Sequence, residues 1–337
     1  MGVKMQAIGC YKPKVYVSNE IWQEKFAPKI KVGGHQFARI ATEGIQERYY
    51  AAPQETVVSM AKEAIQDCLS KAQIDANSID LFIHTSVVSD YIGGDATRIL
   101  QQIGAKNAFA YEVTDVFCAG SMVPILQACL FLESGLYKNV LVSCVGNPAS
   151  RGGNMRDLLA AGLGDLATAI LLKKCDGDAG FMAFSYQTFP QYTDAWKFIP
   201  LKEGVMAWQE AHKNKYWANF FHHAPIATIP DLQEAISKYP LDMVQRTLQK
   251  ANLKIEDIQW LITHQAGGLL KMWRDLFGIK ESSHLHTFSE VGNTSMCNIP
   301  YTLMKATEKK VFSQGDKILL VGLGSGMHIV VAIYKWE

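Results

Sequence analysis

The sequence predicts an α/β protein made of two related halves, each a mainly parallel sheet layered with helices. Two observations carry this expectation. The segment IQDCLSKAQIDANSIDLFI (65–83) aligns without gaps on VQRTLQKANLKIEDIQWLI (244–262), a shift of 179, with Gln, Leu, Lys, Ala, Ile and Ile recurring in register. The same shift lays KNVLVSCVG (138–146) on KILLVGLGS (317–325), in each case an apolar strand following a Lys. Two matches sharing one shift point to a duplication. Strands that alternate with helices then imply parallel pairing and layered packing.

Taken in order, 65–83 and 244–262 each read as an amphipathic helix, a polar turn and a short buried strand. AYEVTDVFCAGSMVPILQACLFLESG (110–135) reads as a strand, a tight turn and a long apolar helix. IQWLIT is a strand ending just before His264, and VGLGSGMH (321–328) is a glycine-rich strand exit. The halves divide as 1–174, carrying Cys118, and 175–337, carrying His264 and Asn293. KKCDGDAG opens an irregular link at about 174–230, and an aromatic-rich insertion is expected near 181–225.

Composition excludes several classes. The chain has 337 residues, 48% of them hydrophobic, which is ample for a large core. Lys and Arg number 33 against 32 Asp and Glu, so no basic excess suggests a nucleic-acid partner. No apolar run has the length of a membrane span, and MGVKMQAIGCYKPK lacks the apolar core of a signal peptide. Seven scattered cysteines with no CxxC pair fit a reducing, cytoplasmic setting and no zinc site. His222 and His223 adjoin but lack spaced partners, so no metal is expected.

Cys118 falls at the turn before a helix, where unpaired N–H groups and the helix dipole favour a thiolate and lower the thiol pKa. Ala119 and Gly120 leave room there for a ligand. His264, at the C-terminal end of a buried strand, is where open α/β sheets place site groups; its repeat partner is Thr85. Asn293 lies in the Gly-Asn-Thr-Ser cluster of SEVGNTSMCNIP, where an Asn before a helix is usually a turn or cap residue. The 179 shift maps Cys118 onto Cys297, a rival nucleophile that reads better as a buried thiol beside the site. Cysteines 10, 68, 129, 144 and 175 read as structural.

Together, VFCAGSM, THQAGG, EVGNTSM and the final GLGSG resemble β-ketoacyl-acyl-carrier-protein synthase III in order and spacing. The resemblance extends through EGIQERYYAAPQET (43–56), SRGGN (150–154) and GLGDLATAILL (162–172), covering nearly the whole chain. It implies a duplicated thiolase fold and a homodimer acting on acyl-carrier-protein or coenzyme A thioesters, with no tightly bound cofactor. Cys118 would be the nucleophile accepting the acyl group. His264 and Asn293 would bind the carbonyl of an incoming malonyl unit, and the backbone N–H groups of Cys118 and Ser325 would form the oxyanion hole. Ile92, Phe117, Arg151, Gly267, Leu323 and Gly324 match substrate-binding positions.

The departures from the family pattern are specific. Its adenine clamp of Trp and Arg corresponds to Ala38 and Thr42, and the Asn and carrier-docking Arg after its His become Gly267 and Leu269. Small residues before the nucleophile become Val116 and Phe117. Its Gly-x-Glu-Val-Phe motif is replaced by the aromatic-rich 196–225, which reads as a packed surface or an apolar lid. These changes imply a specialised acyl condensation rather than acetyl-coenzyme A initiation. An acyltransferase delivering to an alcohol or amine is the alternative. A papain-like hydrolase shares the order Cys, His, Asn, but 117 residues precede Cys118 and its fold does not explain the repeat.

Overall fold

The computed structural model describes residues 2–25, 42–91, 93–147, 149, 162–193 and 231–337, with the backbone of 198–200 and 221–223. The first half runs β1 (Val3–Tyr11), α1 (Val57–Ala72), β2 (Leu81–Ser86), α2 (Ala96–Ile103), β3 (Phe109–Glu112), α3 (Met122–Glu133), β4 (Asn139–Gly146) and β5 (Leu166–Lys174). The second repeats that order: β6 (Gly180–Thr188), α4 (Leu232–Ala251), β7 (Trp260–Thr263), α5 (Leu269–Leu276), β8 (His284–Leu285), α6 (Asn298–Glu308), β9 (Lys317–Gly324) and β10 (His328–Lys335).

Each half builds one five-stranded sheet, β1-β5-β4-β2-β3 in the first and β6-β10-β9-β7-β8 in the second. The pairing senses also agree. β5 and β10 run antiparallel to both neighbours, and the other four strands of each sheet share one direction. The repeat seen in the sequence survives in fine detail. α1 ends on left-handed Gln73 (φ 54°) and α4 on left-handed Asn252 (φ 59°), again 179 residues apart. A single 3-10 turn follows each, at Ala76–Ser78 and Ile255–Asp257.

Period-two burial divides the side chains between layers. Leu81, Ile83, Val140 and Val142 face a central core, whereas Phe82 and Leu141 face α1 and α2. α3 and α6 fill that central core between the sheets, and α4 and α5 cover the outer face of the second. Burial on all sides explains why α3, MVPILQACLFLE, is apolar nearly all round. β6 lies inside the stretch expected as link and insertion. It is the second half's counterpart of β1, and the sequence hides it because strand β6 has no aligned repeat.

Candidate active site

Beyond β3 the chain turns sharply. Asp115 (φ 67°) and Phe117 (φ 37°) both take left-handed conformations unusual for residues with a β-carbon. The 3-10 turn Phe117–Ala119 follows, with Ala119 N–H donating to the Val116 carbonyl (2.9 Å) and Gly120 N–H to the Phe117 carbonyl (2.7 Å). Cys118 is thus half-buried at the tip of a tight turn leading into α3. The small residues after it serve packing more than ligand approach. Ala119 is fully buried, and a β-carbon on Gly120 would crowd the Phe117 carbonyl, Thr85 Oγ1 and Met296 Cε.

The second half supplies the facing groups. His264 leaves β7 buried, its backbone N–H held by the Val321 carbonyl of β9 at 2.8 Å. Gln265 anchors the loop. Its Nε2 donates to Thr302 Oγ1 (2.6 Å) on α6, and its Oε1 accepts the Thr287 N–H (3.2 Å). Asn293 is pinned across the halves: its N–H donates to the Gly162 carbonyl (2.8 Å), and its carbonyl accepts the Gly164 N–H (2.9 Å). Asn293 Oδ1 accepts the Ser295 N–H at 2.8 Å. That bond makes Asn293 a turn former and orients its Nδ2 donors, which make no hydrogen bond among the described residues.

Ser295 joins the three candidates. Its hydroxyl donates to Cys118 Sγ at 3.2 Å, its N–H binds Asn293, and its backbone contacts the His264 ring. It does so in the left-handed region, at φ 58°. A nearby glycine seals the arrangement from β9, since a β-carbon on Gly324 would overlap the Val116 carbonyl and crowd Ala119 N. The Gly324–Ser325 exit therefore packs directly on the Cys118 turn.

Electrostatics reverses one expectation. The sequence predicts a lowered thiol pKa, but burial pushes Cys118 up to about 11, opposed only in part by the Ser295 hydroxyl and by Cys118's own backbone N–H. Cys118 sits ahead of α3, and loss of hydration outweighs the donors around it. It rests as a thiol. Burial likewise lowers His264 to about 4, against a small raising influence from the Ser295 backbone, so the imidazole is neutral at pH 7. Its Nδ1 is buried without a hydrogen-bond partner among the described residues.

Cys297, the rival thiol, is fully buried. It accepts the Gly146 N–H at 3.2 Å and contacts the Cys144 and Leu166 carbonyls at 3.3 Å, and burial raises it to about 12. Ser325 is 8% exposed, and Phe117 and Gly267 are half-buried, Gly267 with φ 28°. Leu323 packs with Trp273 and Phe277 in the core beneath α5, on the outer side of the second sheet. Ile92, Arg151 and Ala38 lie outside the described residues, as do the side chains of 196–225; Thr42 is buried. Ser295 and Gln265 escape a sequence reading because both look like ordinary polar loop residues. The only available signal was their adjacency to Asn293 and His264.

A duplicated five-stranded unit thus gathers Cys118, His264 and Asn293 between its halves. Residues 113–190 match the family 3-oxoacyl-[acyl-carrier-protein] synthase III, and 248–336 match its C-terminal region. A β-ketoacyl-[acyl-carrier-protein] synthase III from Synechocystis is 29% identical over 308 residues, covering 87% of each chain. The Aquifex aeolicus 3-oxoacyl-[acyl-carrier-protein] synthase III structure superimposes with a TM-score of 0.83 at 21% identity, covering 99% of this chain and 100% of that one. The priming β-ketosynthase of the R1128 polyketide pathway gives 0.83 at 20% identity, covering 99% and 96%. The chain is a synthase III-like member of the thiolase superfamily.

Proposed function

We propose that this enzyme joins thioesters by decarboxylative Claisen condensation through an acyl-Cys118 intermediate, in fatty-acid-like or polyketide biosynthesis. The observation that carries this reading is Ser295, one residue in contact with Cys118, His264 and Asn293 together. Cys118 sulfur attacks the carbonyl of an acyl thioester. The carrier's C–S bond breaks, and the thiol proton leaves with the carrier sulfur. A malonyl-type thioester then binds with its carbonyl oxygen against His264 and the Nδ2 of Asn293. Loss of carbon dioxide leaves an enolate held by these donors, which attacks the acyl carbonyl. The Cys118 C–S bond breaks, and the sulfur regains a proton from solvent. The oxyanion formed at the acyl carbonyl is assigned to the backbone N–H groups of Cys118 and Ser325. The neutrality of His264 suits hydrogen bonding to an enolate, with no prior protonation required.

Residues 1–174 then supply the nucleophile and 175–337 the enolate-binding groups. We also assign the enzyme to the cytoplasm as a homodimer, with carrier-protein or coenzyme A thioesters as substrates. The dimer is supported by β3, a sheet-edge strand on which Phe109 is 61% exposed. Half-buried Phe117 beside the nucleophile supports a specialised acyl group.

The test is intact mass after incubation with a panel of acyl-coenzyme A and acyl-carrier thioesters. One acyl adduct per chain is expected on wild type and Cys297→Ala, and none on Cys118→Ala; the reverse pattern would sink the assignment. Carbon dioxide release from malonyl thioester should then require both His264 and Asn293. Acyl turnover onto an alcohol or amine without malonate would establish simple transfer instead.

A further inference from the structure

A second polar cluster lies on the outer side of the first sheet, away from Cys118. His84 on β2 and Glu112 on β3 are direct cross-strand partners, and Asp95 precedes the first residue of α2. One potential ligand atom from each falls within 4.8 Å of the others. His84 and Asp95 are fully buried.

These groups are unevenly satisfied. Glu112 Oε1 accepts the N–H of Asp95 and that of Ala96 (2.7 Å), while its Oε2 meets only Ser89 Oγ, at 3.5 Å. Asp95 Oδ2 accepts the Asp90 N–H at 3.0 Å, but Asp95 Oδ1 has no hydrogen-bond partner among the described residues. Neither ring nitrogen of His84 has one among the described residues. The trio therefore gathers two carboxylates and an imidazole whose Asp95 Oδ1 and two ring nitrogens are buried with no hydrogen-bond partner among the described residues. Carboxylates left so are costly to bury, and a cation between them removes the cost.

We propose that His84, Asp95 and Glu112 bind one borderline divalent cation of the zinc type. One imidazole nitrogen and two carboxylate oxygens suit zinc better than magnesium, which takes oxygen ligands in a strict octahedron and keeps its waters. Bonds of about 2.0–2.2 Å require the ligand atoms to close to roughly 3.3 Å apart, a modest contraction from 4.8 Å. Entry is short. A hollow of about 540 Å³, lined by Tyr91, Gly93, Gly94, Thr97, Arg98 and Gln101, reaches Gly94, whose missing side chain leaves it against the Glu112 carboxyl. The ion ties β2, β3 and the start of α2 together and takes no part in chemistry at Cys118.

The test uses the full-length chain without a polyhistidine tag, stripped with chelator and titrated near pH 7.5 with zinc by calorimetry and with cobalt by visible absorption. One equivalent is expected, with a cobalt ligand-field spectrum lacking a thiolate charge-transfer band. His84→Gln and Asp95→Asn should each weaken it by roughly 100-fold or more, since loss of a ligand exceeds the 10–100-fold typical of second-shell changes. Cys118→Ala should bind normally. Should a variant fail to fold, the wild type decides alone: zinc must raise its unfolding temperature relative to chelator. Absence of that equivalent in the wild type, or its persistence in folded His84→Gln, overturns the proposal. A proton shared within the trio would give the first of these results.

Discussion

The Cys118 sulfur is governed by one hydroxyl. Ser295→Ala keeps the left-handed backbone and the N–H to Asn293 but removes the Oγ–Sγ hydrogen bond. That bond favours the thiolate, so its loss should push a thiol already near 11 still higher. We expect iodoacetamide to alkylate Cys118 slowly at neutral pH in the wild type. In Ser295→Ala the rate should fall a further about fivefold, the equivalent of about 1 kcal/mol. An unchanged or faster rate, measured by mass spectrometry against pH, would show that Ser295 does not tune the sulfur. At this scale the sequence was legible only in part. It singled out Cys118, His264 and Asn293, which the fold gathers around Ser295. It misjudged the direction of the thiol's pKa because desolvation is set by what the fold packs over Cys118, which a turn motif does not show. Ser295 stayed invisible because a serine after Asn-Thr has the composition of any turn.

Among elements, the tightest tolerance is where the exit of β9 meets the Cys118 turn. Gly324→Ala sets a β-carbon into the Val116 carbonyl, which rigid backbone cannot yield. We expect the turn to shift, with a loss of about 1–3 kcal/mol in urea stability and at least a tenfold slower acylation. A normal acylation rate would mean that the contact does not set the nucleophile's position. Gln265→Leu probes the facing loop. It strips the hydrogen bonds to buried Thr302 and Thr287 and should cost about 1–3 kcal/mol, read from the urea midpoint. The sequence revealed those elements that repeat with near-identical spacing: the end of α1 with β2, matched by α4 with β7, and β4 matched by β9. It hid β6, because a strand recognised by pattern alone is lost in an aromatic-rich stretch. The proposed cation ligands were hidden for a related reason. Positions 84, 95 and 112 follow no motif spacing, and only strand pairing brings His84 beside Glu112.

For the whole molecule, buried histidines set the acid limit. Burial holds His264 and His284 neutral, each lowered to about 4, His284 also by His286 and Arg274. A base with a lowered folded pKa binds more protons when unfolded between the two values. Stability should therefore fall as pH drops from about 6.5 to 4, by up to about 1.4 kcal/mol per pH unit for each histidine. Urea midpoints across that window should trace the slope, and His284→Asn should flatten it. A slope unchanged in that variant would assign the acid limit to other groups. The division of labour between halves has a further consequence, for how the chain is made. The Cys118 turn comes from early sequence, yet Ser295, the Asn293 bridge to Leu163 and the Gly324 buttress all come from late sequence. A nascent chain emerging from the ribosome thus carries Cys118 for well over a hundred residues before the groups that face it in the fold have been made. The proposed centre is assembled only when the second half docks, so on this reading condensation must wait for the end of synthesis.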